Sequence, residues 1–322
     1  MATVRLGVLG CADIAVRRML PAVVRSPFVL AAVASRSRDR AVGVAARFGC
    51  DAVEGYDQLL ARPDVDAVYV PLPNSTHAMW VSRALEAGKH VLIEKPAILD
   101  AHVAAELVAS ADERGLAVME NFAFLQHPQH DLAQSIIANG ELGELRSFNG
   151  TFGVPPTDPA GIRYQAELGG GALSEVGCYP IRAAQHYLES PIQVVGASLD
   201  LDHSLGVDVA GAAYLRGANG VVGLCGFGMV HSYRSTYDVW GSGGRLVLDW
   251  AFTPAREARP VLRLQQQDRE TRFTASAFDQ FVGVMNAFFA AITDPGLRLA
   301  HHRELVKQAE LLARIRAQAK RF

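Results

Sequence analysis

Two short stretches of this sequence carry ionisable side chains in settings that would make them reactive. The first is Glu94-Lys95-Pro96. A proline disfavours the helical region for the residue before it, so Lys95 takes an extended backbone. At the ligand crevice of an open sheet, a lysine held this way can reach two bound molecules at once; the same three residues also fit a surface lysine at a strand end. The second stretch is Gly169-Gly170-Gly171-Ala172-Leu173-Ser174-Glu175-Val176-Gly177-Cys178-Tyr179-Pro180. Three glycines followed by a helix start would place Glu175 and Tyr179 one turn apart on a single face. A core tyrosine and a glutamate in a first helical turn are the alternatives.

A third group would bind rather than react. Gly10-Cys11-Ala12-Asp13-Ile14-Ala15 has the frame of a G-x-G-x-x-G loop, with alanine at the second and third glycine positions. That loop needs tiny side chains, for a tight turn, for close approach to a pyrophosphate and for packing of helix on strand. Ala15 meets the third demand easily, and Ala12 the second less comfortably. A plain strand–turn–helix explains the same residues. Placement at the first βα junction, where a helix N-terminus favours a diphosphate, argues for the loop. About twenty residues on, where an NAD site usually carries Asp or Glu for the ribose 2′-hydroxyl, comes Ala34-Ser35-Arg36-Ser37-Arg38. Ser35 and Arg36 offer a hydroxyl and a guanidinium, which suit a 2′-phosphate. NADPH/NADP+ is therefore the expected cofactor, with Arg36 as the phosphate contact and Arg38 pointing away; a solvated loop before a helix is the other reading.

These groups need elements to hold them. The first 120 residues alternate short β-branched runs with helical segments. Strands are predicted over 4–9, 29–34, 66–70, 90–93 and 117–120, and helices over 14–24, 38–48, 77–87 and 101–114. Strand–helix alternation with short connections builds a doubly wound parallel sheet. After Asn121 the texture changes. A helix over 131–139 leads into runs at 144–152, 194–201, 210–215, 221–227, 237–241 and 245–248, the marks of an open, mostly antiparallel sheet. Helices return at 278–292 and 302–320. The fold class is α/β, with an N-terminal Rossmann domain over 1–121 and a second α/β domain over 122–322 whose last helix packs back on the first.

Bulk composition excludes several classes. The 322 residues are 50% hydrophobic and 20% charged, with a formal net charge of −2, which leaves no basic surface for nucleic acid. The late cluster Arg314, Arg316, Lys320 and Arg321 reads as a solvated helix face. Four cysteines without C-x-x-C spacing and ten histidines without H-E-x-x-H point to reduced thiols, a cytoplasmic setting and no metal site. No apolar run approaches the roughly 18 residues of a membrane helix. The opening apolar run is too short for a signal peptide.

Together with Asp64-Val65-Asp66-Ala67-Val68 and Pro71-Leu72-Pro73-Asn74-Ser75-Thr76-His77, the reactive stretches resemble the glucose–fructose oxidoreductase / inositol dehydrogenase (Gfo/Idh/MocA) family, in its order and spacing over nearly the whole chain. Ala67-Val68-Tyr69-Val70-Pro71-Leu72-Pro73, Met119-Glu120-Asn121-Phe122 with His127-Pro128-Gln129-His130, and Ile162-Arg163-Tyr164-Gln165-Ala166 resemble one branch, the sugar 3-ketoreductases of actinomycete deoxysugar pathways. That resemblance implies reduction, with NADPH, of the C3 ketone of a dTDP-linked 3,4-diketo-2,6-dideoxyhexose. Ketone reduction needs a proton donor and a stabiliser of the developing alkoxide, and either Tyr179 or Lys95 could deliver the proton; the favoured assignment is Tyr179 as general acid and Lys95 as electrostatic stabiliser. The resemblance places Pro71, Leu72, Asn74, His77, Glu94 and Asn121 beside Gly10, Cys11, Ala12, Asp13, Ile14, Ser35 and Arg36 around the cofactor. Arg163, Gln165 and Glu175 fall near the substrate, Glu175 standing where the family usually has aspartate. It also implies a homo-oligomer, dimer or tetramer, through the second domain's sheet. Two rivals remain at this stage: a dehydrogenase of another sugar or cyclitol, and a non-catalytic nucleotide- or sugar-binding module.

Overall fold

The structure, a computed structural model, describes residues 3–322. The chain forms two compact units, Met1–Ala123 with Phe281–Glu310, and Phe124–Gln280 with Leu311–Phe322.

The first unit is built on six parallel strands: β1 (Val4–Leu9), β2 (Phe28–Ser35), β3 (Asp51–Glu54), β4 (Ala67–Val70), β5 (His90–Glu94) and β6 (Val118–Asn121), in the order β3-β2-β1-β4-β5-β6. Alternate residues of a strand point to opposite faces, and here both faces are covered. In β4, Val68 and Val70 join one apolar cluster while Ala67 and Tyr69 join the other. Helices α1 (Leu20–Val23), α2 (Arg38–Phe48), α3 (Tyr56–Leu60), α4 (His77–Glu86) and α5 (Ala101–Arg114) make the crossovers. The capping chemistry is local: Ser37 accepts from the Arg40 N–H at the start of α2, and Asp100 from those of His102 and Val103 at the start of α5.

β3 has no counterpart in the predicted strands, because Asp51-Ala52-Val53-Glu54 is a four-residue edge strand with a carboxylate at each end. It makes the strand before Lys95 the fifth. The last helix packs back on the first unit up to Glu310, as expected, but the return begins a helix earlier, at Phe281, within the span expected for the second domain. Helix α8 (Gln280–Thr293) buries Val284, Met285, Phe288 and Ala291 in the cluster that covers β1 and β4. Phe28 stacks on Phe288 at 5.5 Å and meets Phe289 edge-on at 5.7 Å. The long last helix (Pro295–Gln318) adds Leu305 and Ala309 to the opposite cluster, and its buried His302 accepts from the Val118 N–H at 2.9 Å.

The second unit holds nine strands: β7 (Leu145–Gly153), β8 (Gln193–Asp202), β9 (Val207–Arg216), β10 (Val222–Gly228), β11 (Arg234–Gly241), β12 (Arg245–Asp249), β13 (Val261–Gln266), β14 (Arg269–Thr274) and β15 (Lys320–Arg321). Their order is β14-β13-β12-β11-β7-β10-β9-β8-β15, antiparallel except for the β7/β10 and β8/β15 pairs. β13 and β14 escape prediction because their Arg, Gln and Glu residues hide the alternation of a sheet-edge hairpin. Helix α6 (Pro128–Ala138) opens this unit, and α7 (Cys178–Ala184) continues a single wide turn, Leu173–Gly177.

Candidate active site

The strand order of the first sheet reverses between β1 and β4, and ligands of such sheets bind in the crevice beyond the carboxyl ends at that point. Gly10 ends β1 there with φ +121°, a conformation L side chains rarely adopt. An added Cβ would lie 3.0 Å from Leu72 Cδ2 and 3.6 Å from the Pro71 carbonyl, so the loops after β1 and β4 nearly touch. Cys11, Ala12 and Ile14 are half-buried and Asp13 is exposed, paired with Arg17 at 3.3 Å.

At the end of β2 the predicted pair Ser35 and Arg36 gains a third member. Ser35 is buried, and its hydroxyl accepts from the Ser37 N–H. Arg36 meets the Tyr56 hydroxyl, whose pKa burial raises against the pull of that guanidinium. Arg40 reaches back 3.2 Å to the Cys11 carbonyl, and its charge opposes the burial that pushes the Cys11 thiol up. Sequence reasoning missed Arg40. Its signal was the cap at Ser37, which fixes the third helical residue against the β1 loop.

Beyond β5 the polar groups are knotted together. Glu94 Oε1 accepts from the Tyr69 hydroxyl and from Asn121 Nδ2, each at 2.6 Å. Loss of solvation holds the Glu94 carboxyl above the ordinary carboxylate range, against the Tyr69 bond, the charge of Lys95 and the Asn121 bond. Lys95 is half-buried and precedes a cis Pro96. Asn121 is buried, and its Oδ1 has no partner. A glycine turn at φ +121°, Arg36 just after β2 with Arg40 in the first turn of α2, and a buried amide oxygen awaiting a donor all fit a phosphorylated dinucleotide.

His77 takes a different place from that expected. His77 has no exposed surface; Nε2 lies 2.8 Å from the Leu72 carbonyl, and Nδ1 lies 3.1 and 3.0 Å from those of Pro96 and Ala97. Burial holds its pKa down, and the ring, in contact with both loops, braces the loop after β4 against the loop after β5 with no surface left to turn to a cofactor. Asn74, half-buried, opens a 3-10 turn, Asn74–Thr76, that leads into α4.

In the second unit, residues 171–180 are buried with two exceptions, Glu175 and Tyr179, which are half-exposed. The wide turn therefore leaves the two side chains on one side, as the four-residue spacing predicts. The Tyr179 ring packs edge-on to Phe152 at 5.0 Å, with Phe124 at 5.8 Å and Phe252 at 5.9 Å. The glycines serve the backbone. Gly170 and Gly171 donate to the carbonyls of Gln165 and Arg163, and a Cβ on Gly170 would sit 2.5 Å from the Arg163 carbonyl. Gly171, at φ +116°, lies against Asp208, which also accepts from the Leu173 N–H at 2.6 Å. Arg163 is half-exposed near this crossing. Gln165 donates its amide to the Ala160 carbonyl at 2.7 Å, which braces its own loop.

A parallel sheet with this switch point and these phosphate-sized features is the mark of a dinucleotide-binding protein. Comparison with known proteins makes the class specific, since residues 4–122 match the oxidoreductase family with an NAD-binding Rossmann fold and residues 130–247 match the GFO/IDH/MocA C-terminal domain. The chain belongs to the GFO/IDH/MocA oxidoreductase family. It is 45% identical over 99% of its length, and 98% of the relative's, to a dTDP-3,4-didehydro-2,6-dideoxy-alpha-D-glucose 3-reductase of Saccharopolyspora spinosa. A reductase of the same description from Streptomyces antibioticus is 44% identical over 98% of this chain and 97% of its own. A solved 3-ketoreductase from Actinomadura kijaniata, in complex with NADP and TDP-benzene, superposes with a TM-score of 0.96 at 45% identity, covering 100% of this chain and 99% of that one.

Proposed function

We propose that this chain is an NADPH-dependent ketoreductase that reduces the C3 ketone of a dTDP-linked 3,4-diketo-2,6-dideoxyhexose. The observation that carries the reading is Tyr179, a hydroxyl on the open side of an otherwise buried helical segment, in a chain 45% identical to a reductase of that substrate class. The Actinomadura kijaniata ketoreductase has been solved with one tyrosine changed to phenylalanine and with one lysine changed to alanine. Those two positions stand as far apart in its chain as Tyr179 and Lys95 do here.

Each residue then has a defined task. Gly10, Cys11, Ala12 and Asn121 line the dinucleotide, and Ser35, Arg36 and Arg40 take its 2′-phosphate. Bound NADPH supplies a hydride to the carbonyl carbon. Lys95 puts an ammonium beside the carbonyl oxygen and stabilises the negative charge that gathers there. Tyr179 gives its hydroxyl proton to that oxygen, completing the alcohol, and is reprotonated from solvent. Glu175 holds a substrate hydroxyl beside it. Glu94, gripped by Tyr69 and Asn121, keeps Lys95 oriented.

The enzyme works in the cytoplasm as a homo-oligomer. Its four free cysteines suit a reducing compartment, and the nine-stranded sheet exposes Tyr214 and Leu224 on neighbouring strands. Sedimentation of a Leu224→Glu variant tests that contact; a protein that stays associated refutes it.

The activity test is NADPH consumption with the dTDP-diketosugar generated in place, run beside NADH, with the product identified. Turnover specific for NADPH that yields a C3 alcohol is expected. Unchanged turnover in the Lys95→Ala, Tyr179→Phe double variant would reject the assigned roles.

A further inference from the structure

Tyr233 and Trp250 stand out on the surface of the second unit. They are 42% and 57% exposed, and their rings lie 5.3 Å apart at 30°. Trp250 adopts φ +59°, the left-handed region, which is an outlier for a bulky side chain. Such a backbone persists only where the surroundings over-determine it.

They do so here. Gln129, fully buried at the start of α6, donates its amide to the Ala251 carbonyl at 3.1 Å and lies 3.4 Å from that of Trp250. His130 Nε2 lies 3.0 Å from the same Ala251 carbonyl. The Ala251 N–H donates to the Ser235 carbonyl at 2.9 Å, and the Phe252 N–H to the Ser235 hydroxyl at 3.0 Å. Across the pair, the Tyr233 and Thr253 hydroxyls are hydrogen-bonded to each other. Buried polar side chains thus fix the backbone of a tryptophan whose own ring stays in solvent. Core packing does not call for that arrangement; a flat ligand does.

The position is equally informative. Phe152 touches the Tyr179 ring at 5.0 Å and the Tyr233 ring at 6.4 Å, while Phe252, two residues past Trp250, lies 5.9 Å from Tyr179. The exposed pair begins one ring beyond the proposed acid. A nucleotide-linked sugar whose ketone lies at Tyr179 carries its base several bonds further along, past a diphosphate and a ribose. The solved relative was crystallised with TDP-benzene, a ligand with such a nucleotide end.

We propose that Tyr233 and Trp250 form the stacking platform for the pyrimidine base of the nucleotide-linked substrate. The inference deepens the ketoreductase reading and rests on it for the sugar, while the base site stands on the ring pair itself. Aromatic faces bind bases through stacking, and the pre-set Trp250 backbone spares the cost of ordering it on binding.

The test is titration of dTDP alone into the full-length protein by calorimetry, with NADPH binding and thermal midpoint as controls. Trp250→Gly removes the ring but takes the positive φ without strain, so it keeps the fold. It should weaken dTDP binding by about 10- to 100-fold. Tyr233→Ala should act in the same direction, and Trp250→Phe should recover most of the binding. With the dTDP-diketosugar, the Gly variant should lose through KM more than through kcat. A Trp250→Gly protein that binds dTDP as tightly as the parent overturns the platform, above all if it changes self-association instead. A parent protein that fails to bind dTDP overturns it too. Ring-dependent dTDP binding without reduction of the diketosugar keeps the platform and overturns the proposed reaction.

Discussion

Lys95 and Tyr179 sit in opposite surroundings. Around Lys95 the structure is polar and cross-linked: Glu94 accepts from two side chains, and His77 ties the Leu72 carbonyl to those of Pro96 and Ala97. Around Tyr179 it is a cage of rings, Phe124, Phe152 and Phe252. The contrast follows from what each group must hold. A fixed ammonium needs a compensated electrostatic setting, or it pairs with the wrong partner. The role proposed for Tyr179 needs a fixed ring, and packing against Phe124, Phe152 and Phe252 supplies that.

The contrast breaks most sharply at the two groups themselves. Tyr179→Phe keeps the packed ring, so kcat should fall about 10²- to 10⁴-fold with no change in thermal midpoint. Steady-state NADPH oxidation beside a melting curve reads both, and a midpoint that falls in step with kcat would mean the hydroxyl is structural. Next comes the glycine crossing that leads into the Tyr179 segment. Gly171→Ala places a Cβ 2.4 Å from Asp208 Oδ1 at φ +116° and should cost about 3 kcal/mol in urea denaturation. Gly49→Ala, at φ +69° but in open space, should cost only about 1 kcal/mol. Equal losses would show that Asp208 yields.

On the polar side, Arg40→Ala should lower kcat/KM for NADPH about 10-fold and leave that for NADH nearly unchanged. Parallel losses with both cofactors would return Arg40 to a purely structural role at the β1 loop. The smallest effect belongs to Glu94→Gln, whose oxygen can keep both donors. Folding raises the Glu94 pKa above its unfolded value of about 4.3. The wild-type carboxyl therefore stabilises the fold fully below the unfolded value and loses that contribution as pH rises through the folded one. The stability of the Gln variant relative to wild type should climb as pH is raised from about 4. A flat difference would mean that the carboxyl is well solvated.

Much of this was legible beforehand. The five predicted strands of the first sheet form, because β-branched runs bounded by short turns leave little choice; Lys95 follows a strand end, and Glu175 and Tyr179 are the two partly exposed residues of 171–180. What was hidden depended on contacts between distant residues. Nothing near His77 foretells that both ring nitrogens meet carbonyls, one set of them nineteen and twenty residues away. Nor does anything near Gln165 in the sequence foretell that its amide donates to the Ala160 carbonyl. Trp250 reads as an ordinary strand-end residue; its backbone angle comes from Gln129 and His130, over a hundred residues earlier.

The return of Phe281–Glu310 to the first sheet has a consequence for the order of events on the ribosome. Val284, Met285, Phe288 and Ala291 complete an apolar layer that also contains Val8, Met19 and Phe28. A nascent chain ending at Ala123 has every strand of that sheet but one face uncovered. The unit begun first therefore stays open while almost all of the second is made, and a chaperone that shields exposed apolar surface should stay bound until residues near 310 emerge.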